Sequence, residues 1–123
     1  MTLGMALGIA AGSLAGGFAR FALVGAVSRA AAPSLPWGIL AVNLLGCLLA
    51  GLVDGLAGRL SPAVRIALLS GFCGAFTTFS ALMLDASGML KAGEGGRAFL
   101  YVTLSAAAGL ACVRAGGFLA ARF

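Results

Sequence analysis

The sequence predicts an all-α integral membrane protein: one domain over residues 1–123, with four spanning helices per chain and the third broken near the bilayer midplane. Three observations carry that expectation. Hydrophobic residues make up 62% of the chain, and the mean hydropathy is +1.13. Charged residues make up only 9%, where a soluble domain carries about 25%. The apolar residues also fall into four stretches, approximately 3–28, 36–58, 63–90 and 98–120. Each is long enough for a helix that needs about 20 residues to cross a hydrocarbon core of about 30 Å. The net charge of +5 forms no basic face, so the expected environment is the lipid bilayer and no nucleic acid is expected as a partner.

The first stretch has no positively charged start and is longer than the apolar core of a secretory signal, so it reads as a retained helix. Gly4, Gly8, Gly12 and Gly16 recur at four-residue spacing, which lets a neighbouring helix approach closely. Arg20 follows, roughly eight residues inside the end of the stretch. That depth is costly unless the side chain snorkels or finds acceptors such as carbonyls at a helix break.

Pro33 and Pro36 bracket the first connection. The second stretch contains Asn43 within Val42-Asn43-Leu44-Leu45-Gly46, about one turn from the midplane. A carboxamide at that depth must find partners, and both an interhelical hydrogen bond and a donor to an anion path answer the need. In the second connection Ser61 is placed to cap the next helix and Pro62 to fit its first turn.

The third stretch is anomalous. Where Leu, Ile and Val are expected, it reads Gly71-Phe72-Cys73-Gly74-Ala75-Phe76-Thr77-Thr78-Phe79-Ser80. Irregular backbone with polar side chains is tolerated at membrane depth only when buried in protein or lining a path. Carbonyls released there, those of Gly74 and Thr77 for example, would suit a hard cation; a simple kink with hydroxyls bonded to the preceding turn is the other reading. The fourth stretch follows a charged turn and sets Tyr101, Ser105 and Gly109 on one face. Asp54 and Asp85 lie nearer helix ends, where pairing with Arg59 or Lys91 is expected. Connections this short make consecutive helices antiparallel and put both termini on one side.

Cys47, Cys73 and Cys112 stand on separate stretches with no paired spacing, and the chain has no histidine, so they read as packing residues rather than metal ligands. Lys and Arg divide evenly between the two sides: Arg59, Arg65, Arg114 and Arg122 against Arg20, Arg29, Lys91 and Arg97. With no charge bias to fix one orientation, both are expected to insert, unless a weak feature such as loop length decides. Two copies inserted oppositely would pair about an axis in the membrane plane, bringing equivalent mid-depth segments together.

No acidic residue lies near a helix centre, as a proton-coupled exporter would need, and Ser80 has no base in view, as a hydrolase would need. The chain is therefore not expected to be an enzyme. Hydroxyl, amide and aromatic-edge donors remain, and they suit a small anion.

Three pieces in order, Gly16-Gly17-Phe18-Ala19-Arg20-Phe21, Gly38-Ile39-Leu40-Ala41-Val42-Asn43-Leu44-Leu45-Gly46 and the stretch from Gly71 to Ser80, resemble the Fluc or CrcB family of small fluoride channels over nearly the whole chain. The resemblance implies passive export of toxic cytoplasmic fluoride across the plasma (inner) membrane of a bacterial-type cell. It further implies an antiparallel, dual-topology homodimer with two pores and a central structural sodium ion as its cofactor. By the same resemblance the Gly74 and Thr77 carbonyls hold sodium. Asn43, Phe79, Ser80, Tyr101 and Ser105 then line the pore, and Arg20 matches the arginine of the first helix. After Ser80 the family continues Thr-Phe, whereas this chain has Ala81-Leu82, so one hydroxyl and one pore aromatic are missing. The homodimer reading expects Leu82→Phe to raise fluoride flux; one half of a heterodimer is the alternative. A small dual-topology exporter and a non-conducting assembly subunit are further alternatives.

Overall fold

A computed structural model describes every residue from Met1 to Phe123. The chain is all helical and contains four helices long and apolar enough to cross a membrane: Leu3–Ala30, Trp37–Gly55, Pro62–Lys91 and Gly95–Ala120.

Helix α1 (Leu3–Ala30) starts where the Thr2 hydroxyl accepts the Met5 N–H at 3.3 Å, and Arg29 occupies its last turn, where a cation suits the helix dipole. Helix α2 (Trp37–Gly55) begins directly after Pro36, and Trp37 Nε1 donates to Ser34 Oγ at 3.1 Å. It stops at Gly55, because Ala57–Arg59 tightens into a 3₁₀ turn. Helix α3 (62–76) opens on the Ser61 cap, whose hydroxyl accepts the Val64 N–H at 3.3 Å, with Pro62 in the first turn. From Ala67 to Cys73 its turns widen to the π form, and it ends at Phe76. Helix α4 (Phe79–Lys91) completes the third span. It closes through Gly93 at φ 77°, with Gly93 N–H donating to Leu90 O and Glu94 N–H to Met89 O. That is the glycine-dependent stop that satisfies two terminal carbonyls at once. Helix α5 (Gly95–Ala120) follows, and Arg97 ties its start to Glu94 and to the Ser34 carbonyl.

Two helix pairs organise the packing. Helices α2 and α5 form the most extensive interface, with buried Gly51 and Gly116 letting the two backbones touch. Helix α1 lies along α3, and a Cβ at Gly12 or Gly16 would run into the backbone of Gly71 or Phe72. The third span therefore changes partner midway: α3 packs on α1, whereas α4 packs on α5. The core formed by α4 joins Leu82, Ala86 and Met89 to Leu40, Ala98 and Tyr101.

The acidic residues pair otherwise than the sequence suggests. Asp54 bonds Arg65 at 2.7 Å rather than Arg59, because the 3₁₀ turn carries the chain past Arg59 before α3 brings Arg65 back. Asp85 accepts the Tyr101 O–H at 3.2 Å and meets no cation.

Candidate functional site

Between α3 and α4 the chain passes through two extended residues, Thr77 (φ −86°, ψ 159°) and Thr78 (φ −151°, ψ 110°). Backbone leaving a helix at membrane depth must have its polar groups satisfied from elsewhere. The Thr77 N–H still reaches the Cys73 carbonyl at 3.0 Å, and the Thr77 hydroxyl donates to the same oxygen at 2.9 Å. The Thr78 hydroxyl caps α4 by accepting the Ala81 N–H at 3.2 Å and lies 3.4 Å from Ser80 Oγ.

Helix α2 supplies the remaining partners. Asn43 Oδ1 accepts the Thr78 N–H at 2.7 Å, and Asn43 Nδ2 donates to the Thr78 carbonyl at 3.1 Å. One carboxamide thus engages both backbone groups of one residue. Its neighbour on the same face, Gly46, leaves a notch for the Thr77 side chain; a Cβ there would overlap the threonine methyl. Because the Thr78 N–H is committed to Asn43, it does not reach the Gly74 carbonyl, its partner in a continued helix. Gly74 itself is exposed.

Helix α1 brings Arg20 to the same place, where Nη1 donates to the Thr77 carbonyl at 3.4 Å. Arg20, Thr78 and Ser80 line an open groove of about 1180 Å³ along α1, together with Phe18, Phe21 and Ile39. Of the two carbonyls singled out in the sequence, Thr77's therefore faces a guanidinium while Gly74's has lost its helical donor.

The side chains expected to act together fall into two groups. Phe79 is 74% exposed and Ser80 is exposed, both on the first turn of α4, and Ser80 lines the groove. Tyr101 is fully buried with its hydroxyl on Asp85, and buried Ser105 donates to its own helix at the Tyr101 carbonyl, 2.7 Å away. Leu82 is also buried, in the core with Tyr101. Phe79 continues the stripe of Leu82, Ala86 and Met89 one turn earlier, yet nothing in the chain covers it.

Thr78 has no separate role in the sequence pattern, yet its N–H, carbonyl and hydroxyl are all engaged. A threonine directly before an apolar helix is a capping signal and marks it in retrospect. Gly46 carried no such signal, since its notch depends on which helix lies opposite.

The family model described as CrcB-like protein, Camphor Resistance (CrcB), matches residues 7–117. The protein named Fluoride-specific ion channel FluC from Chlorobaculum tepidum is 44% identical over 115 residues, covering 91% of this chain and 90% of its own. Its namesake from Maridesulfovibrio salexigens is 40% identical over 111 residues, 88% of each chain. Fluoride-specific ion channel FluC 1 from Rubrobacter xylanophilus is 44% identical over 112 residues, 91% of this chain and 89% of its own. Arg20, Asn43 and the Thr77–Thr78 joint all lie inside the matched region.

Proposed function

The chain belongs to the CrcB family, and from that premise we propose that it is a fluoride-specific ion channel, through which toxic cytoplasmic fluoride leaves a bacterial-type cell passively across the plasma membrane. One observation carries the reading: relatives at 40–44% identity, matched over 88–91% of this chain, bear that name.

The channel is an antiparallel homodimer with two pores. The even division of Lys and Arg between the two sides supports insertion in both orientations. The halves α3 and α4 each extend about 20 Å from the joint at 1.5 Å per residue, so the joint falls near mid-bilayer, where two opposed copies meet. Phe18 (74% exposed), Phe21 (82%) and Phe79 (74%) leave a wide aromatic surface beside the joint for the second copy. Leu82 fills its own protomer's core, so its substitution for the family phenylalanine does not call for a heterodimeric partner.

Fluoride is small and strongly hydrated, so a conducting path must replace its water with donors. Ser80 Oγ and the positive ring edge of Phe79 offer them on the exposed side of the joint, and Asn43 keeps one N–H beyond its bond to the Thr78 carbonyl. Arg20 adds positive potential at the same depth. Tyr101 and Ser105 join this path only if their hydroxyls leave their present partners. A path without an unpaired carboxylate at its narrowest point disfavours cations through the cost of desolvation.

The donor set at the joint suits a central sodium ion. Neutral backbone carbonyls are ligands for a hard cation, and Gly74 is an exposed residue whose carbonyl lacks its helical N–H. The carbonyls of Gly74 and Thr77, with Arg20 withdrawn from the latter, would hold the ion, which supplies a fixed positive charge and a tie between copies.

The test is efflux from liposomes loaded with potassium fluoride or potassium chloride and reconstituted with this single polypeptide. Rapid, valinomycin-dependent fluoride release with chloride retained is the expected outcome. No fluoride release, or equal release of both anions, overturns the reading; drug-dependent proton flux would favour an exporter.

A further inference from the structure

Asn43 is the chain's sole carboxamide: it has no other asparagine and no glutamine. That one side chain is spent on the backbone. Its oxygen accepts the Thr78 N–H at 2.7 Å, and its nitrogen donates to the Thr78 carbonyl at 3.1 Å, across a sequence separation of 35 residues. We propose that Asn43 is a positioning residue that holds the Thr77–Thr78 joint out of helix, and that the features of the joint depend on this clamp.

Two acceptors compete for the Thr78 N–H. In a continued helix the Thr78 N–H would belong to the Gly74 carbonyl. In an apolar surrounding an unpaired N–H is costly, so without another acceptor the segment between α3 and α4 would tend to close into helix. A carboxamide is the neutral side chain that donates and accepts from one rigid plane, so it stands in for a peptide group of a neighbouring strand. Helix α2 can deliver it at contact distance because Gly46, three residues on, leaves room for the Thr77 methyl.

Four features hang on that substitution. The Gly74 carbonyl loses its donor, the Thr77 carbonyl turns to Arg20, the Thr78 hydroxyl caps α4, and Phe79 and Ser80 start a helix that faces outward. Only one Nδ2 hydrogen of Asn43 remains for any other partner, so its main action runs through Thr78. The fluoride-channel reading enters only as the purpose of the joint; the clamp itself is a property of the backbone.

Nuclear magnetic resonance on the full chain in lipid nanodiscs separates these. The spectrum contains a single side-chain carboxamide pair, and one of its protons is expected to exchange slowly with solvent, as is the Thr78 amide. In Asn43→Leu, which removes acceptor and donor, Thr78 protection is expected to change at least about tenfold, with a new carbonyl shift at Gly74 as helix closes. In Asn43→Asp the acceptor survives, so the Thr78 N–H is expected to keep protection closer to wild type while its carbonyl shift moves. Fluoride efflux is expected to fall in Asn43→Leu in step with the change at Thr78. Unchanged Thr78 and Gly74 resonances in a folded Asn43→Leu overturn the proposal. So does loss of flux in that variant with Thr78 undisturbed, since Asn43 would then serve the anion alone and not the joint. The amide measurements need no fluoride, so a wild type silent in efflux would count against the channel reading alone.

Discussion

The two halves of the third span pack by opposite means. Helix α3 meets α1 backbone to backbone, through Gly12 and Gly16 on one side and Gly71 and Phe72 on the other. Helix α4 meets α5 and α2 through large side chains, Leu82 and Met89 against Tyr101 and Leu40. A contact between backbones has no rotamer to adjust, whereas a contact between side chains can repack. The joint at Thr77 and Thr78 lies where one mode gives way to the other. It is tied to α1 by Arg20 and to α2 by Asn43.

The backbone-to-backbone contact is disrupted most severely at Gly16. Gly16→Leu places a side chain against the Phe72 carbonyl and should lower stability by about 3 kcal/mol or more, since neither helix can yield. A detergent-titration midpoint equal to wild type would mean that the α1–α3 spacing is elastic. On the other side, Leu82→Ala leaves a cavity that neighbours can partly fill. In lipid much of the hydrophobic transfer term cancels, so the loss should be near the low end, about 2 kcal/mol. Leu82→Phe overfills the core and should cost about 1–2 kcal/mol in stability, whatever it does to flux. Tyr101→Phe keeps the volume and deletes only the hydrogen bond to Asp85, so about 1 kcal/mol is expected. If it costs more than Leu82→Ala, polar rather than packing terms hold α4 to α5.

What the sequence made legible follows the range of each signal. Spanning helices show in composition alone, and the Ser61–Pro62 start shows in two adjacent residues because capping is local. The stretch from Gly71 to Ser80 stood out because glycines and hydroxyls are conspicuous against Leu and Val. Asn43 reads from sequence as needing a partner, but its choice of Thr78 depends on how α2 lies against the joint, which no local pattern encodes. The π turns of Ala67–Cys73 and the exchange of partners between α3 and α4 are likewise products of packing. Tyr101 and Ser105 share a helical face as their spacing requires, yet that face turns inward because Asp85 and the α4 core are there to receive it.

If fluoride passes over the uncovered first turn of α4 beside the joint, as proposed, Phe79 is the side chain it meets there. Fluoride efflux should be measured from liposomes carrying equal amounts of folded wild type and Phe79→Leu, which keeps the bulk but removes the ring edge. A fall of at least about tenfold, or about 1.4 kcal/mol of barrier, is expected with the unfolding midpoint unchanged. Fluoride efflux at the wild-type rate from Phe79→Leu would contradict it.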